Sequence, residues 1–365
     1  MALAISIKIV WRREVEFFIC KLNTPFIKVL GNEISRYFCY TKVNYQGSLH
    51  ARQTKFIMYL VFKIMYLVYD TRYIISNLIR KWVISMSKIK IVADSSAGLT
   101  DEEIKKYDIT IVPLSVMIDG TVYVERETIT NDQFPTMMKN AKSLPKTSQP
   151  PIGKFVDAFD QAGADGSEVL CVTMMASISG TVHAAEQAAN LTKTKVTVYD
   201  CQSTDRGMAF QIIEAAKVIA DGGTVDDAIA KMKDVLQKSK LYLAIDNLDN
   251  LVAGGRISKF AGALSRFMNI KVMLQVYDGE IHVASKGRGM KAIHKEWDKI
   301  LDEMANGPKV LGVGISHVEG MSEVERLKEK VQAICPELPI VVRETVPIIA
   351  THTGLGACCL LYYTE

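Results

Sequence analysis

Residues 169–185, VLCVTMMASISGTVHAA, break at one point: an apolar run stops in small and hydroxylic residues before a second apolar pattern begins. Val169, Leu170, Cys171, Val172 and Thr173 are β-prone and show no polar alternation. They therefore read as a strand buried on both faces, as in a parallel sheet covered by helices. Ser177, Ser179, Gly180 and Thr181 then fall where a following helix leaves its first N–H groups unpaired. Such a terminus favours an anion, and Gly180 lets the anion come close to the backbone. The plainer alternative is that Ser179 or Thr181 simply caps the helix.

Upstream, Lys88 to Asp94 reads as a first strand ending in Asp94, Ser95 and Ser96, at the end of an α/β sheet where ligands bind. Thr100 to Glu103 has a capping-box pattern. Ile109 to Ile118 is expected as a strand broken at Pro113, with a hairpin turn at Asp119-Gly120 leading to Thr121–Val124. Thr130 to Ala141 is expected as a helix capped by Thr130 or Asn131. Leu144 to Pro151 is expected as a stiff loop offering Thr147, Ser148 and Gln149, because its prolines remove donors and fix the backbone. A helix from Ile152 to Gly163 leads into the quoted strand.

Downstream, a strand at Lys195–Asp200 and helices at 207–222 and 224–239 continue the strand-helix alternation of a parallel sheet with right-handed crossovers. The pattern restarts at Leu241, which puts a domain boundary near residue 239. The second part contains the loop Gly254-Gly-Arg-Ile-Ser, a hairpin across Asp278-Gly279, and Lys286-Gly-Arg-Gly before a helix. A strand at 309–316, a helix at 322–335 capped by Ser322, a strand at 340–344, the loop Thr351-His-Thr-Gly-Leu-Gly and a final apolar run complete it.

Bulk composition agrees with a soluble globular protein, at 48% hydrophobic and 23% charged residues in 365. The net charge of +4 conceals a split. Residues 1–86 hold 13 Lys/Arg against 4 Asp/Glu, and the remainder 31 against 36, so the main body is mildly acidic and unlike a nucleic-acid surface. Residues 1–86 also carry 15 of the 29 aromatics and show no clear periodicity, so they are expected to be an extension outside the fold. Its apolar part, Phe56–Tyr69, holds Lys63 and is shorter than a membrane span. It reads either as a basic amphipathic anchor making at most transient membrane contact, or as translated non-coding sequence upstream of a start at Met86. The seven cysteines lack any zinc-like spacing and read as reduced thiols in a cytoplasmic protein.

Five motifs from distant parts of the chain stand together: Asp94-Ser-Ser, Thr147-Ser-Gln-Pro-Pro, Ser177-Ile-Ser-Gly-Thr, Gly254-Gly-Arg-Ile-Ser and His352-Thr-Gly-Leu-Gly. In that order they resemble the DegV family, bacterial fatty-acid-binding proteins that include the acyl-binding subunits of fatty acid kinase. The resemblance runs from about Lys88 to the C-terminus. Pro151 and Leu355 stand where the family often has Ser and Pro. It implies two α/β domains, 87–238 with a mostly parallel sheet and 239–365, with a ligand tunnel between them. It also implies a non-catalytic carrier in phospholipid metabolism that holds a long-chain fatty acid, without other cofactor or metal, and presents the carboxylate to a kinase catalytic subunit. Carried over by motif, Thr147, Ser148, Ser179 and Gly180 would hold the carboxylate, with His352 and Thr353 beside it. Arg256 and Arg288 would serve the head group and phosphoryl transfer.

Taken singly these residues have duller readings: His352 a structural histidine, Arg256 an ion-pairing residue, Lys286 and Arg288 a solvated basic face. The rival function is a serine hydrolase with Ser179 as nucleophile, His352 as base and Asp94 or Asp200 as orienter, although the G-x-S-x-G elbow is missing. A dehydrogenase loop at Gly312-Val-Gly-Ile-Ser lacks the third glycine and lies late in the chain.

Overall fold

The computed structural model describes residues 89–246, 248–256 and 270–365, all within one compact unit. The extension 1–86, and Ile257 and Ser258 of the glycine-arginine loop, lie outside the described residues. In chain order the first strands are β1 (Ile89–Asp94), β2 (Thr110–Val112), β3 (Ser115–Ile118), β4 (Thr121–Val124), β5 (Lys146–Ser148), β6 (Glu168–Thr173) and β7 (Val196–Asp200). Then come β8 (Ser239–Ile245), β9 (Ile270–Tyr277), β10 (Glu280–Arg288), β11 (Val310–His317), β12 (Ile340–Glu344) and β13 (Cys358–Thr364).

Strands β2, β1, β6 and β7 form a wholly parallel four-stranded sheet in that order. The absence of alternation in β6 has its expected cause, since successive residues enter different cores on opposite faces. Leu170 and Val172 pack with Met208 and Ile212 of the helix Asp205–Ala220, whereas Val169 and Cys171 pack with Phe155 and Phe159 of the helix Ile152–Ala162. The helix Thr181–Ala189 follows β6 and covers the second face with Ala184, Ala185 and Ala188.

Residues 109–118 are two strands in two sheets. Pro113 ends β2, and β3 joins a small antiparallel sheet of order β4-β3-β5. Asp119 and Gly120 make the hairpin turn with φ of 47° and 87°. The stretch 144–151 is not loop throughout: Lys146–Ser148 pairs with β3 as β5. Its flanking prolines confine it to the edge of the sheet, where a strand with few donors is tolerated.

The later strands form a six-stranded sheet of order β10-β9-β8-β13-β11-β12, which includes the hairpin expected across Asp278-Gly279. Only β11 and β12 are parallel; the last apolar run inserts as β13 between β8 and β11, antiparallel to both. The tight Asp278-Gly279 turn joins β9 to β10, and β10 continues through Lys286, Gly287 and Arg288.

Side-chain capping sets two of the described helix starts. Thr100 with Glu103 and Thr224 with Asp227 each form both bonds of a capping box. Two starts differ from expectation. The helix expected from Thr130 begins at Phe134 with Pro135 in its first turn, while Thr130 N–H bonds the Gln133 side chain instead. Ser322 lies inside the helix Met321–Ile334, which is entered through Gly320. A Cβ at Gly320 would sit 3.0 Å from the Ala357 carbonyl oxygen, so the backbones' close approach selects glycine there.

At the carboxyl end of β1 the three polar residues are buried and internally bonded. Asp94 accepts from Ser96 N–H at 2.9 Å and Met174 N–H at 2.7 Å. Ser95 Oγ accepts from Leu114 N–H at 2.8 Å and donates to Glu125, whose other oxygen accepts from Ile348 N–H at 2.8 Å. Burial raises the Glu125 carboxyl to about 7, with Asp94 adding to the rise and Ser95 and Ile348 opposing it. Because the folded value exceeds the ordinary 4.5, the folded state holds more protons between those pH values. Stability from this group is thus present at acid pH and lost as pH rises through the folded value. Glu125→Gln keeps an acceptor for Ile348 and should gain on the parent by on the order of 2–3 kcal/mol between pH 4.5 and 7. Urea unfolding of both proteins across that range checks it, and a pH-independent difference would be the contrary result.

Candidate functional site

The motif at His352 is a helix end rather than a loop. The helix Pro347–Thr353 starts with proline in its first turn and ends at Gly354, whose φ of 79° suits the position after a helix. Asn250 Nδ2 donates to the Thr351 carbonyl at 2.8 Å and ties down the last turn. His352 is thereby held with Nε2 2.9 Å from Thr147 Oγ1 on β5. Its Nδ1 has no hydrogen-bond partner and faces Gly254, where even a Cβ would lie 2.2 Å away.

Burial, reinforced by the Arg256 charge, lowers His352 to about 4, so the imidazole is neutral at pH 7 and has one N–H. Placing that hydrogen on Nε2 leaves no buried donor unpaired. It then donates to Thr147, whose own hydroxyl hydrogen is released toward the cavity.

The turn after β6 provides the facing wall. Ser179 Oγ is 2.7 Å from Thr181 Oγ1 and accepts from Thr181 N–H at 3.3 Å. Gly180, at the N-cap of the helix Thr181–Ala189, has no side chain to cap it, and Ser179 takes only the Thr181 N–H of the first turn, a terminus that favours an anion. The Gln149 side chain lies across Gly180, so close that a Cβ there would be 2.3 Å from Oε1. Arg256 joins the two loops, donating from Nε to Ile178 O at 3.2 Å and from Nη1 to Gly254 O at 2.6 Å.

Thr147, Ser148, Ser179, Arg256, His352 and Thr353 line one cavity. Gly180 adjoins it through Gln149. Most of the remaining wall is apolar, including Leu114, Met174, Met175, Leu243, Leu274 and Ile349. Ser148 Oγ donates to Gln149 O at 3.2 Å, and Thr353 Oγ1 donates back to Ile349 O at 3.1 Å. Arg288 does not line the cavity; it is exposed at the end of β10, on the same face as Lys286. Gln149 is one of the residues offered by the expected loop, but its contact with Gly180 depends on tertiary placement. Asp94, Ser95 and Ser96 support the wall from behind.

A hydrolase triad is not assembled. Asp94 is bonded to Ser96 and Met174 N–H, and Asp200 accepts from Ala176 N–H at 3.2 Å and Gln202 N–H at 2.9 Å. His352 faces Thr147, and no carboxylate holds its Nδ1. Gly312 and Gly314 lie inside β11, leaving room for Tyr363 and Arg206 rather than forming a phosphate loop. The five described cysteines are free. Among the described residues no cluster of His, Cys, Asp or Glu is arranged to hold a metal, and no helix is long and apolar enough to cross a membrane.

Residues 88–365 match the sequence model described as an uncharacterised protein, DegV family. A DegV domain-containing protein of Streptococcus pneumoniae is 41% identical over 276 residues, covering 76% of this chain and 98% of its own length. One from Listeria monocytogenes is 37% identical over 283 residues, covering 77% and 100%. Among solved structures, a fatty-acid-binding DegV family protein of Thermus thermophilus superposes with a TM-score of 0.69 at 26% identity, covering 76% of this chain and all of its own. A stearic-acid-binding protein of Eubacterium ventriosum gives 0.67 at 27%, covering 75% and 98%. The fatty acid kinase B3 protein of Streptococcus pneumoniae, loaded with linoleic acid, shares the fold with a TM-score of 0.64 at 21% identity over 76% of this chain and all of its own.

The tight seat of His352 makes a prediction. Gly254→Ala should displace the ring from Thr147 at about 1–3 kcal/mol of stability and raise the histidine from about 4 toward its ordinary 6.5. NMR titration of His352 reads this directly, and an unchanged titration would show that the glycine does not set the ring.

Proposed function

The chain belongs to the DegV family, and on that basis we propose that it binds a long-chain fatty acid in the cavity and presents its carboxylate to a partner kinase for acyl-phosphate formation. The observation carrying this reading is the division of one cavity wall into a polar end at Thr147, Ser179, Arg256 and His352 and a largely apolar remainder. On this reading residues 87–238 and 239–365 act as two domains enclosing a tunnel. The kinase half rests on the fold shared with the fatty acid kinase B3 protein.

A buried methylene contributes about 0.8 kcal/mol, so a tail of about 14 offers on the order of 11 kcal/mol before the costs of association. Charge-assisted hydrogen bonds add roughly 1.5–3 kcal/mol each. The tail thus supplies affinity, and the head group supplies direction. Thr147 and Ser179 donate hydroxyl hydrogens to the carboxylate, the open helix end at Gly180 and the Arg256 guanidinium stabilise its charge, and His352 orients Thr147. Ser148, Gln149 and Thr353 shape the rim. On this reading Arg288, exposed outside the cavity, meets the phosphates of the partner's nucleotide. The protein performs no covalent step itself and works in the cytoplasm.

Mass spectrometry of lipid extracted from the purified protein should find a stoichiometric fatty acid. Ser179→Ala and His352→Ala should weaken its binding about 10- to 100-fold, the equivalent of one charge-assisted bond. A protein that carries no fatty acid and takes up none overturns the reading. Arg288→Ala should retain the lipid and lose phosphorylation in a coupled assay with a bacterial fatty acid kinase. Loss of lipid binding in that variant would contradict the separation of the two roles.

A further inference from the structure

The Ser179 hydroxyl has a second residue behind it. Thr181, the first residue of the helix Thr181–Ala189, is fully buried, and its Oγ1 lies 2.7 Å from Ser179 Oγ. The same Ser179 oxygen accepts from Thr181 N–H at 3.3 Å. The distance leaves the direction of the hydroxyl-to-hydroxyl bond open, and burial fixes it. Thr181 Oγ1 has no other hydrogen-bond partner. Were Ser179 the donor, the Thr181 hydrogen would be buried without an acceptor, which is unfavourable. Thr181 therefore donates and Ser179 accepts.

A hydroxyl has two acceptor lone pairs and one hydrogen. Thr181 fills both lone pairs of Ser179, one from its side chain and one from its backbone, so Ser179 has only its hydrogen left to offer. With Thr181 as donor, that hydrogen has no acceptor among the described residues. Ser179 is half-buried and lines the cavity, so the hydrogen is left to the cavity's occupant. On the facing wall the neutral imidazole of His352 donates to Thr147 in the same way, but there one lone pair of the hydroxyl stays open. Ser179 can meet only an acceptor, and the bond it receives from Thr181 polarises it as a donor. An ionised carboxylate is acceptor throughout, whereas an alcohol brings a hydrogen that Ser179 cannot take.

We propose that Thr181 is a positioning residue that makes Ser179 a donor only, and so favours an ionised carboxylate over a head group that must itself donate. This rests on the fatty-acid reading of the site and specifies how the head group is selected. The test compares the delipidated full chain's affinity for stearic acid and for octadecanol, which has the same tail, by displacement of a fluorescent fatty acid. Thr181→Val removes the hydroxyl and keeps the shape, and Thr181→Ala removes it without a branched side chain should valine not fit. Either should weaken stearic acid roughly three- to tenfold, because the Ser179 hydrogen regains three staggered positions and loses its polarising neighbour, and leave octadecanol within about twofold of the parent. Thr181→Ser should keep the parent's preference, and in a Ser179→Ala background Thr181→Val should add no further loss. Equal loss of both ligands, as a loosened turn would give, overturns the proposal, as does an unchanged preference or an effect that persists without the Ser179 hydroxyl. Failure of the parent to bind stearic acid would instead remove the fatty-acid reading beneath it.

Discussion

Asp94 is the carboxylate on which the cavity depends. It is fully buried, and its oxygens take backbone N–H groups from its own strand end and from Met174, the first residue after β6. Burial raises its pKa, while bonds to Ser96 and Met174 act in the opposite direction. The chain leaving a parallel strand must satisfy its backbone groups before it enters a helix. Here a side chain from the adjacent strand provides part of that satisfaction, and Met174, Met175, Ile178 and Ser179 are placed along one wall as a result.

The same device recurs in the chain of bonds from Leu114 through Ser95 and Glu125 to Ile348. Leu114 and Ile348 both line the cavity, one from the junction between the first two sheets and the other from the helix bearing His352. Each bond is modest, but every atom in the chain is buried, so breaking one leaves an unpaired group in a medium that solvates it poorly. This ties residues more than two hundred positions apart to a common geometry and gives His352 a fixed partner in Thr147.

Much of this was legible locally. The unalternated run at Val169–Thr173 identified a strand with cores on both faces, and the capping residues at Thr100 and Thr224 located helix starts. The motifs at Thr147, Ser179, Arg256 and His352 contained the residues that meet at the polar wall. What escaped was decided by partners far along the chain. β13 reads only as an apolar run until β8 and β11 are known to flank it, and Lys146–Ser148 becomes a strand only because β3 is beside it. Asp205 gave no sequence signal for its cavity position, since that depends on a left-handed residue and on hydroxyls from β11 and beyond β12.

On the proposed reading, the neutral imidazole has a consequence for a site that must release its fatty acid. A protonated histidine would attract a carboxylate more strongly, but burial and Arg256 both oppose that charge. With a neutral ring the attraction comes instead from hydroxyls, a helix end and one guanidinium already bonded to two carbonyls. Such contacts orient an anion without forming a buried ion pair, whose desolvation cost rivals its attraction. On the proposed reading, affinity then rests mainly in the tail, which chemistry at the carboxylate does not disturb. On the same reading the head group stays reactive, because the wall that would position it does not neutralise it with a proton.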